Sequence, residues 1–247
     1  MYNTPENCIF SGVYYMYRAK KRFTLIELLV VAGLMVLMVS LAMPAFSRMT
    51  GNNKVDVMTS NIKTALEQAQ STAVSRNVPV AVIFPLDKCN KDVADFAYGG
   101  YRLAEVENTT KEVEKEDGTK EPVSGWFFKR WISDSYMNRP DGAALVAAVE
   151  SDDDKDKSKD DTDKPEKAEE KLDELIDVKE IEDGISGKCA VIFKATGESV
   201  NNSMYIVVAT AEVNVKSGGG AELQKISEDD FRLLRTNQFT GRVDYVD

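Results

Sequence analysis

Residues 23–46 read FTLIELLVVAGLMVLMVSLAMPAF, and between positions 28 and 43 no side chain carries a charge. As a helix rising 1.5 Å per residue, this run reaches about 36 Å, which predicts a membrane-crossing segment, since a hydrocarbon core is roughly 30 Å thick. The cations Arg18, Lys20, Lys21 and Arg22 stand just before it. By the positive-inside rule they predict a cytoplasmic amino-terminal end, with everything after residue 46 on the far side. A cleaved signal peptide fits less well, because its apolar core is shorter and ends at a small-residue cleavage site. Glu27 breaks the pattern. A lone carboxylate at membrane depth costs at least about 2.5 kcal/mol, so it demands a counter-ion, and the run itself holds none. An amine created by cutting before Phe23 would have the right charge at the right depth.

Composition narrows the chemistry further. The 247 residues include no histidine, and 41 acids against 31 bases give a formal net charge of -10. Without histidine there is no Ser-His-Asp or Cys-His nucleophile and no histidine zinc site, and no glycine loop of the phosphate-cradling kind occurs. The reading is therefore of a non-enzyme with no cofactor and no metal. The acidic balance also opposes a broad nucleic-acid surface, which needs clustered Lys and Arg.

Beyond Pro44 the apolar residues Val55, Met58, Ile62, Ala65 and Ala69, joined by Leu66 and Ala73, recur at helical spacing. Such a stripe packs a helix onto a domain. Pro79 ends it. Short β-branched or aromatic runs follow at 78–84, 98–103, 125–131, 189–194, 203–210, 231–236 and 241–246, separated by Gly, Asn and Asp. The predicted fold class is α+β: one long amino-terminal helix, transmembrane in its first half (23–46) and amphipathic in its second (47–77), packed against an antiparallel β-sheet domain over 78–247. Two charge-dense segments, 105–121 and 151–171, read as insertions. The second has acids and lysines with no hydrophobe larger than alanine and predicts disorder, since its lysines and missing loop glycine argue against a calcium site. Gly218, Gly219 and Gly220 read as a hairpin connection. Trp126, Phe127, Phe128 and Trp131 are read as divided between core and surface along one strand.

The segment KKR-FTLIELLVV resembles the processing and methylation site of type IV prepilins and type II secretion pseudopilins. The match runs through Phe23, Thr24, Leu25, Ile26, Glu27 and Leu28, with Pro44 where those families bend the helix. The resemblance implies a leader of residues 1–22, cleavage between Arg22 and Phe23 by a prepilin peptidase, and N-methylation of Phe23. It further implies that Glu27 pairs with the amine of a neighbouring subunit during assembly. Arg22 departs from the family, which has glycine there, and Met16 would give a seven-residue leader of the usual length. Residues 60–84, with Phe193, Gly197, Gly241 and Arg242, are similar to the GspH/FimT-like minor pseudopilins.

That resemblance implies a minor pilin or pseudopilin at or near the tip of a type II secretion pseudopilus or type IV pilus. Its partners would be other subunits, the peptidase, an inner-membrane assembly platform and membrane lipid. The location implied is single-pass in a bacterial inner membrane, with a periplasmic carboxyl-terminal domain, before assembly into a periplasmic or extracellular filament. The alternative is a FimT-like pilin binding DNA for uptake, through Arg232, Arg235 and Arg242 gathered on one face. Aspartate at 244 replaces that motif's second arginine, and the acids nearby favour the structural reading. In an exported domain Cys89 and Cys189 can oxidise to a disulfide. Sequence leaves bridged and free thiols both open, while Cys8 belongs to the leader.

Overall fold

The computed structural model describes residues 24–114, 120–151, 171–227 and 229–246, with side chains left aside at 41–53, 113–114 and 120. The expected leader, Arg22, Phe23, the turn at Asp117-Gly118 and nearly all of the 151–171 segment lie outside the described residues. The chain divides into two units, 1–46 and 47–247.

Helix α1 spans Leu25–Arg76 and includes Pro44. In the second unit its buried stripe is Val55, Met58, Ile62, Ala65, Leu66, Ala69 and Ala73, each at most 1 % exposed. The helix stops at Asn77, which turns left-handed at φ 54°. There the N–H of Val78 donates to the Ala73 carbonyl and that of Asn77 to Val74, so the last carbonyls find donors without a glycine. Pro79 then forbids a return to helix.

Eleven strands follow among the described residues: β1 Val80–Ile83, β2 Arg102–Glu114, β3 Lys120–Trp131, β4 Ala143–Glu150, β5 Ile176–Lys179, β6 Lys188–Phe193, β7 Met204–Thr210, β8 Glu212–Val215, β9 Ala221–Gln224, β10 Phe231–Thr236 and β11 Val243–Val246. They do not form one sheet laid on a helix. β1, β2, β3, β5 and β6 close into a barrel, β11-β10-β7-β4 form a separate four-stranded sheet, and β8-β9 a hairpin. The expected α+β sheet-on-helix class is corrected accordingly, to a mostly β architecture built around a closed five-stranded barrel. Closure depends on β1 pairing with both β2 and β6, and on a parallel pairing of β3 with β5 through Trp126↔Val178 and Phe127↔Lys179. The reason is visible in burial: all of β1 and every residue of β6 after Lys188 are buried, so neither strand has a solvent face.

The membrane expectation is corrected as well. Among the described residues no helix is long and apolar enough to cross a membrane. The single-pass inner-membrane location falls with it.

Residues 105–114 and 120–121 are arms of the long β2-β3 hairpin, paired from Ala104↔Trp131 to Glu114↔Lys120. Phe127 and Phe128 are both buried, while Trp126 and Trp131 are half-buried against the core. A bulge at Glu105/Val106 coincides with a buried carboxylate. Glu105, 2 % exposed, accepts from Lys129 Nζ at 2.6 Å and from Arg130 Nε at 2.7 Å. The Lys129 bond, with help from Arg130, holds the carboxyl below its ordinary value against the opposing effect of burial. A depressed carboxyl stabilises the fold above its unfolded value and stops doing so as the pH falls through the folded one. Because both cations are solvent-screened, Glu105→Gln is expected to cost about 1–2 kcal/mol at neutral pH. In urea titrations the gap from the parent protein should close below roughly pH 4. A gap independent of pH would mean the carboxylate's charge plays no part.

Candidate functional site

In the first unit, the sequence Thr24-Leu25-Ile26-Glu27 opens α1 as a capping box. The Thr24 N–H donates to Glu27 Oε2 at 2.8 Å, the Thr24 hydroxyl to the same oxygen at 2.9 Å, and the Glu27 N–H to Thr24 Oγ1 at 3.3 Å. A threonine and a glutamate three residues apart satisfy otherwise orphaned amides at a helix start. The carboxylate of Glu27 is fully exposed and is held below its ordinary value by the Thr24 N–H first and the hydroxyl second. Thr24 is thus a local partner of Glu27 that the demand for a counter-ion does not reveal. Its signal in the sequence is the spacing T-x-x-E. Every large apolar side chain between positions 25 and 39 is exposed, from 47 % at Val31 to 80 % at Leu25. An apolar surface of that extent, wrapped around a helix, has no stable partner in water other than another apolar surface. Pro44 lies within α1.

The three carboxyl-terminal arginines do not gather on one face. Arg232 and Arg235 stand three apart on β10, and in a strand an odd offset puts side chains on opposite faces. Arg232 turns to the helix, with Nε 2.7 Å from Asp56 Oδ1. Arg235 lies opposite Tyr205 of β7 and Asp244 of β11, and Arg242 Nε is paired to Asp244 Oδ1 at 2.9 Å. Arg235 and Arg242 line a cleft of about 580 Å³ with Tyr205, Asp244 and Tyr245. A second hollow of about 370 Å³, floored by Ser151 and Ser203, shares Arg235 and Asn237 and is edged by Phe239.

The connection between β10 and β11 is tightly held. Asn237 Oδ1 accepts from the N–H groups of Phe239 and Thr240 and from the Thr240 hydroxyl. From α1, Gln70 Nε2 donates to the carbonyls of Thr240 at 2.6 Å and Gly197 at 2.9 Å. The loop presents Phe239, 72 % exposed, and on β11 Tyr245 is 52 % exposed. Neither aromatic stands out in the sequence, because a lone Phe in a polar turn carries no periodic signal.

Cys89 and Cys189 are both buried free thiols, so the bridge left open by the sequence is not formed. Burial raises the Cys89 thiol and pushes Cys189 up to about 12, which keeps both protonated and slow to oxidise. Where β2 begins and β3 ends, Arg102 lies 4.2 Å over the Trp131 ring and near Tyr136, whose hydroxyl donates to Asp183 at 2.7 Å. That cluster is internally satisfied and serves packing. Among the described residues no group of His, Cys, Asp or Glu is placed to hold a metal ion.

No family model, no curated protein and no solved structure matches this chain. The expectation of a transmembrane pseudopilin is corrected, because among the described residues no helix is long and apolar enough to cross a membrane.

Proposed function

We propose that this chain is a pilin-like subunit that assembles with other such subunits into a filament through residues 25–40, after a prepilin peptidase removes residues 1–22. The observation that carries this reading is the exposed apolar surface from Leu25 to Val39 with a single carboxylate, Glu27, at its start. Helices from several subunits packed side by side would cover that surface. Doing so places Glu27 in apolar surroundings, where an unpaired charge is costly and a paired one is not. The amine of Phe23 on a neighbouring subunit would supply the pair. A carboxylate satisfied in the packed state and left without that amine in the free subunit favours assembly.

The capping box makes the test specific. Glutamine at the third helical position caps nearly as well as glutamate, so Glu27→Gln keeps the helix start and removes only the charge. Filament yield in cells is expected to fall at least about tenfold, the loss of a buried ion pair being worth more than that. Mass spectrometry of the mature protein should show an N-methylated Phe23. Unchanged yield from the Glu27→Gln variant, or an intact leader in assembled material, would defeat the reading.

A further inference from the structure

One end of the four-stranded sheet gathers three chain segments. Glu150 of β4 and Thr236 of β10 both lie opposite Met204 of β7, so the chain leaves two strands and enters the third at the same level. Hydrogen bonds lock these ends together. The Ser151 N–H donates to the Ser203 carbonyl at 2.7 Å, and the Gln238 N–H to Ser203 Oγ at 3.1 Å. Beside them lies the hollow of about 370 Å³, a volume at the small end of ligand pockets and enough for one hydroxylated ring.

Its lining is polar and largely uncommitted. Ser151 is 6 % exposed, yet its Oγ has no hydrogen-bond partner among the described residues. A buried hydroxyl left alone is costly, and a ligand hydroxyl, donor and acceptor at once, would complete it. Asn237 Oδ1 already takes three donors, which fixes that amide and leaves its Nδ2 hydrogens to spare. The side chains of Glu150 and Gln238 also line the hollow and make no hydrogen bond or ion pair among the described residues. Glu150 is the one acid of the lining and Arg235 the one base, so its charges cancel. At the rim stands Phe239, on a loop pinned through Asn237 Oδ1 and through Gln70 Nε2 bonded to the Thr240 carbonyl. An aromatic held in place before contact loses little freedom on binding, and the negative face of its ring attracts the C–H hydrogens of a saturated one.

We infer that this hollow binds a neutral pyranose sugar, one C–H face against Phe239 and its hydroxyls shared among Glu150, Asn237, Gln238 and Ser151. An anionic ligand would meet the Glu150 carboxylate and a cationic one Arg235, whereas an apolar ligand would leave the amides and hydroxyls without partners. The hollow shares no residue with 25–40, so sugar binding and filament assembly succeed or fail separately.

The probes are the methyl glycosides of glucose, galactose, mannose and N-acetylglucosamine, titrated into the full chain and followed by the side-chain amide NMR signals of Asn237 and Gln238. At least one is expected to saturate with a Kd of about 1 mM, the affinity that about a dozen atoms reach at ordinary ligand efficiency. Phe239→Ala should weaken that binding about tenfold, and Phe239→Trp should preserve it. Glu150→Gln should weaken it roughly threefold or more, the loss of a charged acceptor. Both positions are exposed, so neither change puts the fold at stake. No saturation by any of the glycosides, unaltered binding by the Phe239→Ala variant, open-chain sorbitol binding as well as the rings, or glucuronate binding better than the neutral glucoside would each overturn the assignment.

Discussion

Phe193→Ala is expected to cost about 3–5 kcal/mol of stability, the range found when a fully enclosed phenylalanine is truncated. Phe193 ends β6, is 0 % exposed, and lies opposite Val80 of β1 while bridging to Ser199. It therefore sits where the barrel closes and where the chain turns toward the four-stranded sheet. Truncation leaves a void in the core, and the cost of that void adds to the lost transfer of the ring from water. Thermal unfolding should shift down by roughly 6–20 °C for a domain of this size. Phe193→Leu, which keeps most of the volume, should lose no more than about 1.5 kcal/mol. Equal losses for both variants would show that ring shape rather than volume governs the site.

How much of this is legible in the sequence depends on the range of the interaction. The stripe from Val55 to Ala73 is a local property, since residues three and four apart share a helix face whatever lies elsewhere, and all seven residues are in the core. The stop at Asn77 and Pro79 is local too. β4 is not legible: AALVAAVE is rich in alanine, a weak strand former, and it is buried on both faces, so it shows no alternation. Nor is the closure of the barrel, which turns on two residue pairs between β3 and the four-residue β5, some fifty positions apart.

The site shows the same division, with one reversal. The capping box at Thr24 and Glu27 is written in four consecutive residues, but the apolar run around it points to a distant counter-ion instead. The arginines are a second local case. An offset of three within one strand already separates Arg232 from Arg235, whereas the acids nearby say nothing about which face each occupies. What sequence cannot supply is that β11 ends its sheet, because which strand lies last follows from the whole pairing order.

Gly241→Ala is expected to lose about 2–3 kcal/mol, from two sources that a second glycine separates. Gly241 has φ 63°, a conformation that costs an L-residue about 1–2 kcal/mol. An added Cβ would also run into the carbonyl oxygen of Gly197 and the amide of Gln70, the groups that clamp the β10-β11 loop. Gly187, before β6, has φ 86° and open space around a built Cβ. Gly187→Ala should thus show the conformational cost alone, and the excess at Gly241 measures the collision. Because Gln70 Nε2 donates to both Gly197 and Thr240, a displaced loop must also release Phe239 from its fixed position. Urea denaturation gives the two losses, and hydrogen exchange at the Phe239 and Thr240 amides gives the consequence. Those two amides, which donate to Asn237 Oδ1, should exchange faster in the Gly241 variant even where it is fully folded, and at the parent rate in the Gly187 variant. Matching stability losses at the two glycines would mean that the Gly197 carbonyl moves aside without cost, and the clamp would then not be what holds Phe239 in place.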